Sequence, residues 1–392
     1  MNFDILKPAV QDFITKNLNT DVVKLLLSKP QFKGVTQKEL AEQIQCKKKS
    51  QTKLPTWFNT IGIYYPKKIN IEQTSSEITA AYKANLVSGE SLIDLTGGFG
   101  VDSYYFAKRI KKVTHCEVDE KLSKIVAQNY LQLNVKNIDT IAKNGLEVLK
   151  QSPYQFDYIY IDPSRRDSVK GKVFKLTDYH PNVPEHLNEL FAKTNTVLIK
   201  TAPLLDISLG ISELIWVAEI HIVAVKNEVK ELLFLLKKHN QEKPIIKTVN
   251  IVGEHTNEFS FYLNDEKNAK VSYAMPKKYL FEPNAAILKS GGFKTISEKF
   301  KLDKLAEHSH LYTANSVQNF PGRVFEVVDT IPFQKKNLKK LGFKKANITT
   351  RNFPLSVAEI RKISKIKDGG IDYLFFTTIE DKLYCISTKK VV

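Results

Sequence analysis

The sequence predicts an α/β protein built on a parallel sheet wound with helices on both sides. Two observations carry this. Residues 71–237 alternate short apolar runs with helix-period segments, the mark of successive β-α-β units. Within them the strand Leu92–Leu95 runs into a glycine cluster (Gly97, Gly98, Gly100), and a helix pattern follows from about Val101 to Arg109. Glycine lacks a Cβ, so a tight turn here exposes backbone N–H groups and lets a ligand approach the chain closely.

The remaining core elements follow in order. The next strand, Lys112–Val118, ends at Glu117 and Asp119. These acids lie about 20 residues after the glycines, the spacing at which a nucleotide-type cofactor meets an acid for its ribose hydroxyls. The loop does not fit the Gly-x-Gly-x-x-Gly of a nicotinamide site. A third strand, Ile138–Ala142, leads into Lys143-Asn144-Gly145, and a fourth, Phe156–Ile161, ends in Asp162-Pro163-Ser164-Arg165-Arg166. A helix at about Glu185–Phe191 precedes strand Val197–Ile199, which ends at Lys200, and helix Ser208–Leu214 follows. Strands Glu219–Val225 and Glu231–Leu236, with turn chemistry at Lys226-Asn227-Glu228 between them, read as the antiparallel pair that closes the sheet.

The flanks differ. Residues 1–70 read helical, with Phe13, Leu18, Val22, Leu25 and Leu26 at roughly helical spacing. Lys47-Lys48-Lys49 stand near Trp57, Phe58, Tyr64 and Tyr65, which either stack on unpaired bases or seal a small helical core. Residues 238–275 carry further β pattern (Ile245–Ile251, Phe259–Leu263) and read as an extension of the core. Residues 276–320 hold a helix candidate, Pro283–Ser290, and short β runs. Residues 321–392 alternate Arg323–Val328, Gln334–Leu341, Asn347–Thr350, Ser356–Ile363, Tyr373–Thr378 and Leu383–Ser387 as strand, helix, strand, helix, strand, strand.

Composition narrows the function. A chain of 392 residues holds two or three domains, and 42% hydrophobic with 26% charged residues is ordinary for a globular protein. The net charge of +17 points to a polyanionic partner and makes a small acidic substrate insufficient as its explanation. Cys46, Cys116 and Cys385 form no Cys-x-x-Cys pair, which argues against a disulfide framework or zinc site and for a reducing cytoplasm. No apolar run reaches about 18 residues and no secretory signal is visible, so neither membrane span nor export is expected. His308-Ser309-His310 would put two imidazoles on one strand face without a third ligand, so no metal is expected.

The acid-proline step Asp162-Pro163 resembles motif IV of class I S-adenosylmethionine-dependent methyltransferases. Together with Glu72-Gln73-Thr74-Ser75-Ser76-Glu77 and Ala346-Asn347-Ile348-Thr349-Thr350-Arg351-Asn352-Phe353-Pro354, it looks like one bacterial group of RNA methyltransferases with a THUMP-like C-terminal domain. The resemblance implies a Rossmann-like seven-stranded sheet over residues 71–237 and a helical N-terminal domain over residues 1–70. It further implies a β extension at 238–275, a ferredoxin-like segment at 276–320 and a THUMP-like domain at 321–392. It implies S-adenosylmethionine as cofactor, held by Ser76, Asp94, Thr96, Gly97, Gly98, Gly100, Glu117, Asn144 and Asp162, and no metal. In the family the glycine loop packs under the methionine part, the acid after strand two holds the ribose, and a polar residue after strand three reads the adenine. Family members usually carry Asp where this chain has Asn144, whose carbonyl can bond an adenine amino group.

The same resemblance makes Asp162, Pro163, Ser164 and Arg165 the loop that positions the acceptor, expected to be a base nitrogen of tRNA or rRNA. Asp162 either accepts from an acceptor N–H or is a capping or salt-bridged acid. Relatives that methylate nitrogens carry Asp/Asn-Pro-Pro, and here Ser164 replaces the second proline. Arg165 and Arg166 can stack on a flipped base, grip a phosphate, or pair with Asp167 or Asp162. Methylation at pyrimidine C5 needs a cysteine nucleophile, and none lies near residues 162–166 or after Lys200, so that chemistry is not expected. Lys47, Lys49, Arg166, Lys200, Lys339, Lys340 and Arg351 are the expected RNA contacts, each with a solvated or structural alternative. A protein or small-molecule methyltransferase, or an RNA-binding protein whose core has lost turnover, are the competing readings.

Overall fold

Strands whose centres are wholly apolar must lie between two layers of helices. Leu92, Ile93, Ile159, Val197, Leu198 and Ile199 are such centres, and all are fully buried. The structure is a computed structural model that describes residues 1–165, 175–338 and 342–391. It divides into two units, Met1–Ala218 with Leu232–Gln241, and Glu219–Glu231 with Glu242–Val392.

The first unit opens with five helices, α1 (Pro8–Lys16), α2 (Val22–Leu27), α3 (Gln37–Lys53), α4 (Pro55–Asn59) and α5 (Lys68–Gln73). Thr36 and Glu39 form a reciprocal capping box that starts α3. Alternation then begins: α6 (Glu77–Ala84), β1 (Gly89–Asp94), α7 (Val101–Phe106), β2 (Ile110–Cys116), α8 (Glu120–Gln132), β3 (Ile138–Ile141), α9 (Gly145–Gln151) and β4 (Tyr158–Ile161). After α10 (Val183–Phe191), β5 (Thr196–Thr201) and α11 (Ile207–Glu213) come β6 (Val217–Val225) and β7 (Glu228–Lys237). Within this unit the strand order is β7-β5-β4-β1-β2-β3. All neighbours are parallel except β7, which runs antiparallel to β5. This is the doubly wound sheet that the sequence predicts.

The aromatics near the lysine run resolve toward core. Trp57 and Tyr65 are buried in one cluster with Phe99, Val101, Leu122 and Val126, so the helical segment shares a core with the sheet's helices. Trp57 meets Phe99 at 6.2 Å between ring centroids.

In the second unit, residues from Glu219 onward in β6 pair in parallel with β8 (Ile245–Val252), which pairs antiparallel with β9 (His255–Tyr262). Helix α12 (Leu263–Asn268) leads to β10 (Tyr279–Pro283), α13 (Ala285–Ser290), α14 (Phe293–Lys299), β11 (Asp303–Lys304) and β12 (Tyr312–Ala314). The chain ends with β13 (Gly322–Pro332), α15 (Lys335–Leu338), β14 (Asn347–Arg351), α16 (Val357–Ser364), β15 (Asp372–Ile379) and β16 (Lys382–Lys390). One sheet of order β11-β12-β10-β13-β16-β15-β14 joins both C-terminal segments, because β10 pairs with β13. The His308-Ser309-His310 strand is a correction. Leu305 N–H bonds Leu311 O at 3.0 Å, closing a turn there. His310 stacks on Phe293 at 3.6 Å and His308 is exposed.

Among the described residues no helix is long and apolar enough to cross a membrane.

Candidate active site

Five parallel strands, β1 to β5, bring their C-terminal ends to one edge of the sheet, where ligands of such folds bind. A cleft of about 480 Å³ opens there. Its lining follows the strand order: Asn144 and Leu146 after β3, Glu117 and Asp119 after β2, Thr96 to Phe99 after β1, Asp162 and Ser164 after β4, and Lys200 near the end of β5. Asn70, Gln73, Thr74 and Ser75 add a wall from α5 and the turn behind it.

The glycine loop and the acid after β2 hold each other. Gly97 N–H donates to Cys116 O at 2.8 Å. Gly98 N–H donates to Glu117 Oε2 at 2.9 Å, and Asp119 N–H to Glu117 Oε1 at 2.8 Å. Both carboxylate oxygens are thus aimed by backbone amides, and each keeps a lone pair for a further donor. Gly98 has φ +57°, and a Cβ there would meet only Thr96 O at 3.8 Å, so the loop's face is open to a ligand. Asn144 caps α9, its Oδ1 accepting from Leu146 N–H at 2.9 Å, and its Nδ2 makes no hydrogen bond among the described residues.

Beneath the loop lie two buried titratable groups. Asp94 accepts from Thr96 N–H at 3.0 Å and Ser103 Oγ at 2.6 Å, and burial pushes its carboxyl up to about 7. His115 is fully buried under Gly97, and burial pulls its imidazole down to about 4, so it is neutral at pH 7. Thr96 Oγ1 accepts from Asp162 N–H at 2.7 Å, which ties the ends of β1 and β4 together.

The far end of the cleft is charged. Asp162 Oδ2 forms an ion pair with Lys200, the side chains 31% and 13% exposed. Behind them Asp102 Oδ2 accepts from Ser75 Oγ and from Tyr160 OH, both at 2.8 Å. Lys83, wholly buried, lies 3.2 Å from Asp102 Oδ1 and donates to Ser75 Oγ at 3.1 Å. Burial alone would raise the Asp102 carboxyl. Lys83, Lys200 and the Tyr160 and Ser75 hydroxyls together overcome this and hold it below its usual range.

Several expected site residues find their places here, and others do not. Asp94, Thr96, Gly97, Gly98, Glu117, Asn144, Asp162 and Ser164 line the cleft. Ser76 does not: its Oγ accepts from Thr79 N–H at 3.2 Å and caps α6, while Ser75 faces the cleft. Gly100 is scaffold rather than contact, turning at φ +77° into α7 while its carbonyl accepts from Tyr130 OH at 2.8 Å. Pro163 is buried behind the lining. Arg165 belongs to a two-residue strand, Ser164–Arg165, paired with Tyr179–His180. Arg166, Lys339 and Lys340 lie outside the described residues.

The basic contacts need most correction. Lys47 is buried, donating to Thr15 Oγ1 at 2.9 Å, and burial lowers its ammonium below the usual range. Lys49 pairs with Glu72. Lys200 lies in the crevice at the end of its strand, as expected, and there pairs with Asp162. Arg351 donates to Glu282 Oε1 at 3.0 Å and Arg323 Nε to Oε2 at 2.8 Å, so both guanidiniums neutralise one buried carboxylate. The sequence reading missed Asp102, Tyr160 and Lys83. For Lys83 a signal existed, since Ala80, Lys83 and Ala84 share the buried face of α6.

A doubly wound sheet with an acid-braced glycine loop and a charged far end gives a cleft of the kind in which α/β proteins bind nucleotide-type ligands. Comparison with known proteins sharpens the class. Residues 279–321 match a ferredoxin-like domain family and residues 322–390 a THUMP-like domain family. A crystal structure from Porphyromonas gingivalis W83, of a protein to which methyltransferase activity is ascribed, is similar over 99% of this chain and 98% of its own. The two share 31% identity with a TM-score of 0.90. An uncharacterised RNA methyltransferase of Mycoplasma mobile is 30% identical over 160 residues, 39% of this chain and 42% of the relative, so the chain spans less than half of that protein's length. The chain belongs to the family of the Porphyromonas protein, methyltransferases with a THUMP-like C-terminal domain.

Proposed function

We propose that the protein transfers a methyl group from S-adenosylmethionine to RNA. The observation that carries this is the order of groups along the sheet edge: Asn144, then the Glu117-braced Gly98 loop, then Asp162 with Lys200. Those groups fit the donor's adenosyl end, its ribose diol and its reactive end in turn. S-adenosylmethionine supplies an electrophilic methyl group on its sulfonium. Glu117, its oxygens already oriented by two amides, would accept from the ribose hydroxyls. Asn144 has its carbonyl engaged in the α9 cap, so Nδ2 is the better placed group for the adenine ring. The residues of the other end align the acceptor and handle its proton. RNA as acceptor is supported by the net charge of +17, the THUMP-like domain and the Mycoplasma relative's name.

Calorimetry with S-adenosylmethionine and its demethylated product tests the donor half. Removing the Glu117 charge takes away charge-assisted hydrogen bonds worth about 1.5–3 kcal/mol, so Glu117→Gln should bind both at least about 10-fold more weakly. Absence of heat from the wild type refutes the donor. Labelled-methyl transfer onto RNA from a strain lacking the gene tests the acceptor half, and label found only in protein refutes RNA.

A further inference from the structure

The acceptor atom expected from the Asp-Pro resemblance is a base nitrogen, but the charged end of the cleft favours another chemistry. We propose that the acceptor is an alcohol, the ribose 2′-hydroxyl of an RNA nucleotide, with Asp162 and Lys200 as its catalytic pair. The inference rests on the RNA methyltransferase reading above and specifies its acceptor.

The pair is built into the sheet. β4 and β5 are parallel neighbours in register at Ile161 and Ile199, so the next residues, Asp162 and Lys200, emerge side by side. Both line the cleft, the lysine largely withdrawn from water. Lys200 takes Asp162 Oδ2, and Oδ1 makes no hydrogen bond among the described residues. Asp162 is further fixed through its own N–H on Thr96 Oγ1. The wall beside them carries Ser164.

The sign of the charge that develops on the acceptor decides between the chemistries. A neutral amine nitrogen attacks with its lone pair and becomes cationic. An ammonium within hydrogen-bond reach opposes that, and Lys200 also spends part of the carboxylate that would otherwise help. A hydroxyl oxygen gives up its proton as it attacks and carries negative charge. A fixed ammonium and a free carboxylate oxygen are what that oxygen needs. The new bond is O–CH₃, and the electron pair of the broken C–S bond stays on sulfur, leaving a neutral thioether. The hydroxyl proton passes to Asp162 Oδ1 and from there to water. Lys200 Nζ holds the oxygen while the proton leaves, and keeps Asp162 turned toward it.

Nucleoside mass spectrometry of RNA from a strain lacking the gene should show loss of one 2′-O-methylnucleoside. In vitro, wild-type protein should place label in RNA such that alkali leaves it in dinucleotides, because a 2′-O-methyl group blocks cleavage at that linkage. Label in mononucleotides, or loss of a base-methylated nucleoside, overturns the inference while leaving an RNA methyltransferase standing. No label in RNA, with donor heat still seen, overturns the RNA reading and this inference together. Lys200→Met should lower transfer by about 10²–10³-fold. Its affinities for the demethylated donor and for RNA, read by calorimetry and gel shift, should stay within about threefold of wild type. Lys200→Arg keeps the charge and should recover part of the rate, and it serves if the Met variant fails to fold. Wild-type transfer by a folded Lys200→Met refutes the role.

Discussion

Replacing Gly97 by alanine would put a methyl group 2.2 Å from His115 Nε2, 2.4 Å from Cε1 and 2.5 Å from Cδ2. The ring has nowhere to retreat. His115 is fully buried on β2 and stands edge-on to Tyr130 at 6.0 Å between centroids. The loop cannot easily lift either, because Gly97 N–H is bonded to Cys116 O at 2.8 Å. Forcing a methyl group into so packed a place costs about 1–3 kcal/mol, about 3–10 °C in melting temperature for a unit of this size. If the loop yields instead, Gly98 N–H leaves Glu117 Oε2, and affinity for the demethylated donor falls. Both readouts are needed, thermal unfolding and calorimetry. The decisive control is His115→Ala, which removes the obstacle. The double variant Gly97→Ala/His115→Ala should be less destabilised than the sum of its parts by about 1–3 kcal/mol. Strict additivity would show that the ring is not what excludes a Cβ, and the packing argument would fail.

Three further outcomes follow from buried charge. His115 titrates near 4 when folded and near 6.5 when unfolded, so its contribution is present above pH 6.5 and lost as pH falls toward 4, whereas Asp94, raised from 3.8 to about 7, gives stability at acid pH that is lost as pH rises through 7. The two opposed slopes nearly cancel, so between pH 7 and 4.5 Asp94→Asn should lose about 2–3 kcal/mol more than wild type in urea unfolding, and His115→Gln should gain a similar amount. Asp102→Ala removes the carboxylate 3.2 Å from the buried Lys83 and should lower stability in urea unfolding, with Asp102→Ala/Lys83→Met recovering part of the loss; equal instability of single and double variants would contradict the pairing. Lys47→Met should leave RNA affinity by gel shift within about twofold and stability unchanged or higher, and a large loss of affinity would restore Lys47 as an RNA contact.

What could be read without coordinates follows from the range of the forces involved. The parallel strands were legible because Leu92–Ile93, Ile159–Ile161 and Val197–Ile199 are unbroken apolar runs, a local signal. The loop and its acid were legible because Gly98 and Glu117 meet across one β-α-β unit. β13 shows how a local signal stops early. The register with β16 slips between Val327 and Asp329, so inward and outward positions exchange and the alternation breaks where the expected strand ended, although the strand runs on to Pro332.

The basic residues failed for a different reason. A lysine's identity says nothing about which face of a helix it occupies, and net charge adds up over faces that never meet one ligand. In α3, Leu40, Ile44 and Lys47 share a buried stripe, and helical spacing would have set Lys47 apart from the exposed Lys48 and Lys49. No spacing rule pairs Arg351 with Glu282, which are 69 residues apart. Lys200 and Asp162 are a third case, 38 residues apart yet adjacent because consecutive parallel strands end together. Their pairing could have been inferred once the strands were assigned, since ends of neighbouring strands in such a sheet converge on the ligand. The charge that matters most for the acceptor was therefore already implicit in the topology, whereas among the residues counted as an RNA surface Lys47 is buried and Arg351 is held on the buried Glu282.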